Sequence, residues 1–170
     1  MTQCLGFGPV ADDRSRVLIL GSMPGVASLE KHQYYGHPRN AFWPIMGELF
    51  GARPEIDYPL RLQRLLDRHV ALWDVLMSCH RPGSLDADIR SGTEQVNDFS
   101  ELLGSDTPVR AIFFNGMTAE KMFNKHVIHT LDGLSERCDL VRLPSTSPAH
   151  AAMTFDAKLK AWQVVADYAG

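Results

Sequence analysis

Three cysteines, Cys4, Cys79 and Cys138, are too few and too widely spaced for a disulfide framework, and no CxxC pair suggests zinc or an iron–sulfur cluster. Reduced thiols in the cytoplasm are the expectation. No apolar run approaches the roughly 20 residues of a membrane-spanning helix, and Met1–Val10 lacks a basic start followed by a long apolar stretch. Positive charge is not in excess: 17 Lys and Arg face 20 Asp and Glu, for a net charge of −3. The balance gives no global case for nucleic-acid binding, although a local amide-lined groove can bind phosphate on a mildly acidic protein. Internal repeats and low-complexity tracts are missing as well. So are three motifs: GxxxxGK[ST] of phosphate-gripping loops, the GxSxG elbow of hydrolases, and HExxH, since the pair His126 and His129 has no third ligand nearby. No metal and no cofactor is expected.

What is present is an ordinary globular composition, 45% hydrophobic with 8 Phe, 4 Tyr and 3 Trp, enough to bury the core of one domain spanning residues 1–170. Val17–Leu20, closed by Gly21, reads as a buried strand. Phe42, Ile45, Met46, Leu49 and Phe50 recur at helical spacing before the breaker Gly51. Leu60 to Leu66 suggests a short helix. Val70–Leu76 is a strand or a buried edge, Pro82–Thr93 a surface loop, and Phe99 to Leu103 a helical turn. Val109–Phe114, Asn115-Gly116 and Met117–His126 then read as strand, tight turn and helix. Leu140–Leu143 is a last strand, Pro144–His150 a turn, and Phe155–Tyr168 a closing helix. Strands alternating with helices predict an α/β fold, with a mostly parallel sheet covered on both faces and ligands bound beyond the carboxyl ends of its strands.

Three loops then qualify as a site. In Gly21-Ser22-Met23-Pro24-Gly25 the glycines admit close backbone approach and the amides suit a carbonyl or phosphate oxygen, although a plain strand-to-helix turn uses the same residues. Gln33–Trp43 packs polar and aromatic side chains into one connection. There Tyr35 suits stacking on a planar ring, and Asn40 suits orienting a water or gripping a base edge, with helix capping an equal alternative. Asn115 stands at the end of its strand as a base reader or a turn residue. Ser145, Ser147, Pro148, Ala149 and His150 form a loop whose hydroxyls and amides suit phosphate oxygens, or a simple linker.

Together the blocks GSMPG (21–25), QYYGHPRNAFW (33–43), FFNG (113–116) and LPSTSPAH (143–150), with HRPGS (80–84) between them, resemble the uracil-DNA glycosylase superfamily. The likeness is to its mismatch-specific uracil/thymine branch and, more closely, its deoxyinosine (hypoxanthine) branch. The resemblance implies a three-layer α/β/α sandwich with a short central sheet, acting as a monomer on DNA that carries damaged or mismatched bases. It also implies a base pocket from Gly21, Ser22, Met23, Pro24, Gly25, Tyr35 and Asn115, DNA contacts from Ser145, Ser147, Pro148, Ala149 and His150, and Asn40 as the catalytic residue that positions water. No matching lysine suggests lyase chemistry.

Two positions depart from the pattern. The mismatch branch carries a water-activating Asn where this chain has Met23, which moves the expectation from uracil to hypoxanthine; an Asn at 23 is then expected to raise uracil excision. Relatives fill the gap left by the flipped base with Leu or Arg where this chain has Ala149, so His150 or Met153 would take that place. A uracil or G·T mismatch glycosylase is the alternative, and a non-catalytic nucleic-acid or nucleotide-binding module is the alternative of another class.

Overall fold

The computed structural model describes residues 3–170. In chain order its strands are β1 (Gln3–Leu5), β2 (Val17–Gly21), β3 (Val70–Asp74), β4 (Leu76–His80), β5 (Gln95–Val96), β6 (Ala111–Asn115) and β7 (Asp139–Leu143). Its α-helices are α1 (Val26–Lys31), α2 (Phe42–Phe50), α3 (Tyr58–Asp67), α4 (Met117–His126), α5 (Leu134–Arg137) and α6 (Phe155–Ala169).

The central sheet runs β3-β2-β6-β7 with every neighbouring pair parallel, Val17 opposite both Val70 and Ala111. Successive side chains of a strand point to opposite faces, and the core divides accordingly. Val17, Ile19, Leu72, Ala111 and Phe113 pack on one side against Phe42, Ile45 and Met46 of α2 and Trp162 and Val165 of α6. Leu18, Leu20, Ala71, Ile112 and Phe114 pack on the other against Phe99, Leu103 and Phe123 of α4. Both faces are apolar and both are covered, giving the α/β/α sandwich expected.

Helix boundaries follow local chemistry. Gly51 closes α2 in the left-handed conformation (φ 75°), its N–H bonded to the Gly47 carbonyl. Thr154 opens α6, its hydroxyl accepting the Ala157 N–H at 3.1 Å.

Two parts of the fold differ from the pattern read along the chain. The apolar run 70–76 is not one strand: β3 ends at Asp74, after which the N–H groups of Val75 and Leu76 bond the Gly21 and Ser22 carbonyls at 2.8 and 3.0 Å. The chain then leaves as β4 for a small antiparallel sheet, β1-β4-β5, whose three- and two-residue outer strands are too short to show periodicity. Helix α1 is also only 6 residues long.

The placement of β2 fixes where a ligand can sit. The chain passes from β2 to β3 on one side, whereas β6 continues to β7 on the other. The loops after β2 and β6 therefore diverge, opening a crevice at the carboxyl ends of these two strands.

Candidate active site

A cleft of about 570 Å³ occupies that crevice, and every residue expected in the site lines it: Gly21 to Gly25, Tyr35, Asn40, Asn115, Ser145, Ser147, Pro148, Ala149 and His150. Their surroundings divide them into different kinds of group.

The first loop is held by its carbonyls. Gly21 and Ser22 accept from Val75 and Leu76, and Pro24 accepts from Arg81 Nη2 at 2.5 Å. In a trans peptide the N–H points opposite to the preceding C=O, so the N–H groups of Ser22, Met23 and Gly25 face away from those partners. Ser22 Oγ donates to Asp86 at 2.6 Å, and the Val26 N–H is capped by Ser84 Oγ at 2.8 Å. Met23 is different. Its side chain is buried among Cys4, Leu76 and Cys79, with the sulfur toward Gly6, so an Asn at this position would enter an apolar cluster.

In the second loop Tyr35 has a left-handed backbone (φ 55°) and stacks on Phe42 at 3.9 Å between ring centroids, 20° from parallel. This fixes the ring at the cleft with one face already covered. Its hydroxyl is buried and makes no well-formed hydrogen bond among the described residues. Burial, chiefly, and then the Asp74 charge push its ionisation well above the usual phenol range. Asn40 sits at the entrance to α2, where its Oδ1 accepts the Phe42 N–H at 2.9 Å. That bond orients the carboxamide and engages only its oxygen, and the residue lines the cleft, so turn formation and a role at the cleft are compatible.

Asn115 is engaged at both ends. Its Nδ2 donates to Thr146 Oγ1 and its Oδ1 accepts the Thr146 N–H, each at 2.9 Å. Thr146 O in turn accepts the Ala41 N–H at 2.9 Å. Gly116 makes this latch possible: at φ 97° it favours glycine, and a Cβ there would lie 3.2 Å from Ser145 Cβ. In the third loop the Ser145 and Ser147 hydroxyls accept the N–H groups of Ser147 and Ala149 at 3.1 and 3.2 Å. Lys158 Nζ reaches the Ser147 carbonyl at 3.5 Å, bringing a cation beneath that loop. Ala149 is exposed, with His150 beside it at the cleft; Met153 lies outside the lining.

Sequence reasoning did not single out Asp74, Arg81 or Asp86. Asp74 closes β3, is 4% exposed, lines the cleft, and has an Oδ2 with no hydrogen-bond partner among the described residues. Burial raises its pKa to about 7; the Asp86 charge adds to this and Arg81 opposes it. Arg81 is itself 1% exposed, and its Nε and Nη1 have no partner among the described residues. A charged residue at the end of an otherwise apolar run, VALWDVL, was the available signal for Asp74. Among the described residues no group of three or more His, Cys, Asp and Glu is placed to hold a metal ion.

Comparisons with known proteins supply the family. Residues 7–166 match the model of the uracil DNA glycosylase superfamily. The chain belongs to that superfamily. As a DNA glycosylase it is a hydrolase of N-glycosidic bonds, and its substrate is DNA. Two relatives bear the name hypoxanthine DNA glycosylase. The one from Methanosarcina barkeri is 42% identical over 112 residues, covering 65% of this chain and 70% of the relative. The one from Methanosarcina acetivorans is 41% identical over 115 residues, covering 67% and 72%. The fold is similar to a solution NMR structure of a Methanosarcina acetivorans protein provisionally named a uracil DNA glycosylase, with a TM-score of 0.79, 30% identity and 99% of each chain covered.

Proposed function

We propose that the chain excises hypoxanthine from DNA by hydrolysis without strand cleavage, with Asn40 directing the attacking water. The observation that carries this reading is the contrast between two side chains of one cleft: Asn40 brings an amide oriented by the Phe42 N–H, whereas Met23 brings a thioether buried in the apolar cluster. Water direction then falls to Asn40. The names of the two Methanosarcina relatives support hypoxanthine as the base.

The reaction breaks the bond between deoxyribose and base through a sugar of oxocarbenium character, and water adds at the anomeric carbon. A deaminated base in a mismatch is less costly to unstack than a paired normal base, which contributes selectivity. The flipped base lies against the free face of Tyr35, and the amides of residues 22–25 receive its oxygen. Such preset donors lower a barrier by about 3 kcal/mol each when charge develops on their partner. Asn115 acts through Thr146, holding the third loop in position. Ser145, Ser147 and the loop amides take phosphate oxygens, with Lys158 supplying positive charge, and His150 occupies the gap beside Ala149.

The test is a panel of duplexes containing hypoxanthine, uracil, xanthine or a G·T pair, scored for abasic-site formation. Preferential release of hypoxanthine is expected. Preferential release of uracil or thymine would assign the chain to mismatch repair instead, and tight lesion binding without base release would make it a binding module.

A further inference from the structure

A buried carboxylic acid stands in the cleft with no task in the scheme above. Asp74 ends the strand beside β2, where side chains reach the ligand crevice, and its Oδ2 meets no protein donor or acceptor among the described residues. Its other oxygen lies over Gly21: a Cβ there would stand 2.5 Å from Oδ1 and 3.1 Å from the Tyr35 hydroxyl. A bare Cα thus leaves room for the carboxyl group at the cleft floor.

Resting on the reading of hypoxanthine as substrate, we propose that Asp74 is a catalytic acid, which delivers its proton to a ring nitrogen of the departing purine. An ionised carboxylate buried with one bare oxygen and a second carboxylate, Asp86, nearby is costly, so the neutral acid is favoured. A proton on Oδ2 has no acceptor among the described residues and is available to a ligand. The groups that face Asp74 are Tyr34 and Tyr35 of the second loop, Tyr58 of α3, Asp86, and Arg81 after β4. His37 and His150 lie elsewhere on the lining. The pKa of about 7 suits a group that must hold a proton and give it up near neutrality.

The step balances. The C1′–N9 bond breaks with its electron pair going to the purine, and the Asp74 proton passes to a purine ring nitrogen, so hypoxanthine leaves neutral. Water bonds C1′ and loses its proton to solvent; Asp74 regains one from solvent when the base departs. The imidazole ring of a purine offers an acceptor that uracil does not possess, so this acid helps purines and not pyrimidines.

The experiment is single-turnover excision from a hypoxanthine duplex between pH 5 and 9, for the wild type and Asp74→Asn, with folding checked by near-UV circular dichroism. The wild-type rate is expected to hold below about pH 7 and to fall about tenfold per pH unit above it. Asp74→Asn is expected to lose roughly 100-fold or more at pH 6 and to show no such decline, which separates Asp74 from His37 and His150. A folded Asp74→Asn that keeps the wild-type rate and profile would overturn the acid role while leaving the hypoxanthine reading intact. If the variant does not fold, the wild type decides: a rate flat from pH 5 to 9 overturns the acid role. Wild-type protein that releases no hypoxanthine overturns the substrate reading and the acid role with it.

Discussion

The carboxyl of Asp74 and the hydroxyl of Tyr35 meet above the same bare Cα, that of Gly21, where an added methyl would be 2.5 Å from one and 3.1 Å from the other. Real Cβ contacts do not reach the shorter distance, so the two polar groups coexist at the cleft floor because position 21 carries no side chain. Gly21→Ala must displace the Asp74 carboxyl, and Tyr35 is braced by Phe42 from behind. The expected outcome is a loss of roughly 1–3 kcal/mol in urea unfolding together with a fall in hypoxanthine release. Wild-type stability and turnover would show that the floor yields freely.

Asn40 makes a turn bond and faces the cleft, and two substitutions separate these duties. Asn40→Ala loses both, with a stability cost of about 1 kcal/mol and a fall in turnover of at least about 100-fold. Asn40→Asp keeps an oxygen for the Phe42 N–H and loses the amide donor, so stability should be retained while turnover falls. Full turnover in a folded Asn40→Ala would remove the residue from the chemistry.

Asp74 also sets a pH dependence of stability. Its pKa is about 7 folded against an ordinary 3.8, so over that interval the unfolded chain binds fewer protons than the native one and stability declines as pH rises. The contribution is fully present below pH 3.8 and gone above pH 7, a ceiling of roughly 4 kcal/mol. Asp74→Asn removes it. Urea unfolding should show the variant gaining on the wild type from pH 4 to 7 and holding that margin at higher pH. A margin that does not change with pH would contradict this.

Asn115 and Thr146 exchange two hydrogen bonds, so their substitutions should not add. A cycle of Asn115→Ala, Thr146→Val and the double variant is expected to give a coupling of roughly 0.5–3 kcal/mol in stability. Base release should fall similarly in all three. Additive effects would mean that the bond from Asn115 Nδ2 to the Thr146 hydroxyl carries no energy.

Met23→Asn places an amide among Cys4, Leu76 and Cys79. A buried polar group without partners costs roughly 1–3 kcal/mol, so thermal stability should fall. The gain in uracil excision expected from motif comparison should not follow, because the side chain at 23 is buried in that cluster. Appearance of uracil release in a stable variant would show that the loop can re-aim.

The sheet was legible because its strands are apolar on both faces and bounded by breakers, as Val17–Gly21 and Ala111–Asn115 are. The three loops were legible because glycines and amides gather where a parallel sheet presents its strand ends. The break at Asp74 was not, since hydrogen bonds from Val75 and Leu76 to a loop some fifty residues earlier leave no local trace in composition. The outer strands of the small sheet are short enough to escape any periodicity. Sequence spacing placed Asn115 at the cleft, but only its contacts show that both ends of its amide already serve Thr146.

Thr146 is gripped at once by the side chain of Asn115 and by the main chain of Ala41, next to Asn40. The segment proposed to meet the sugar–phosphate track and the segment proposed to aim the solvent molecule are consequently yoked to one sheet edge. Under that assignment neither can drift without pulling on the other, which would make engagement of the strand and alignment of the nucleophile a single mechanical event.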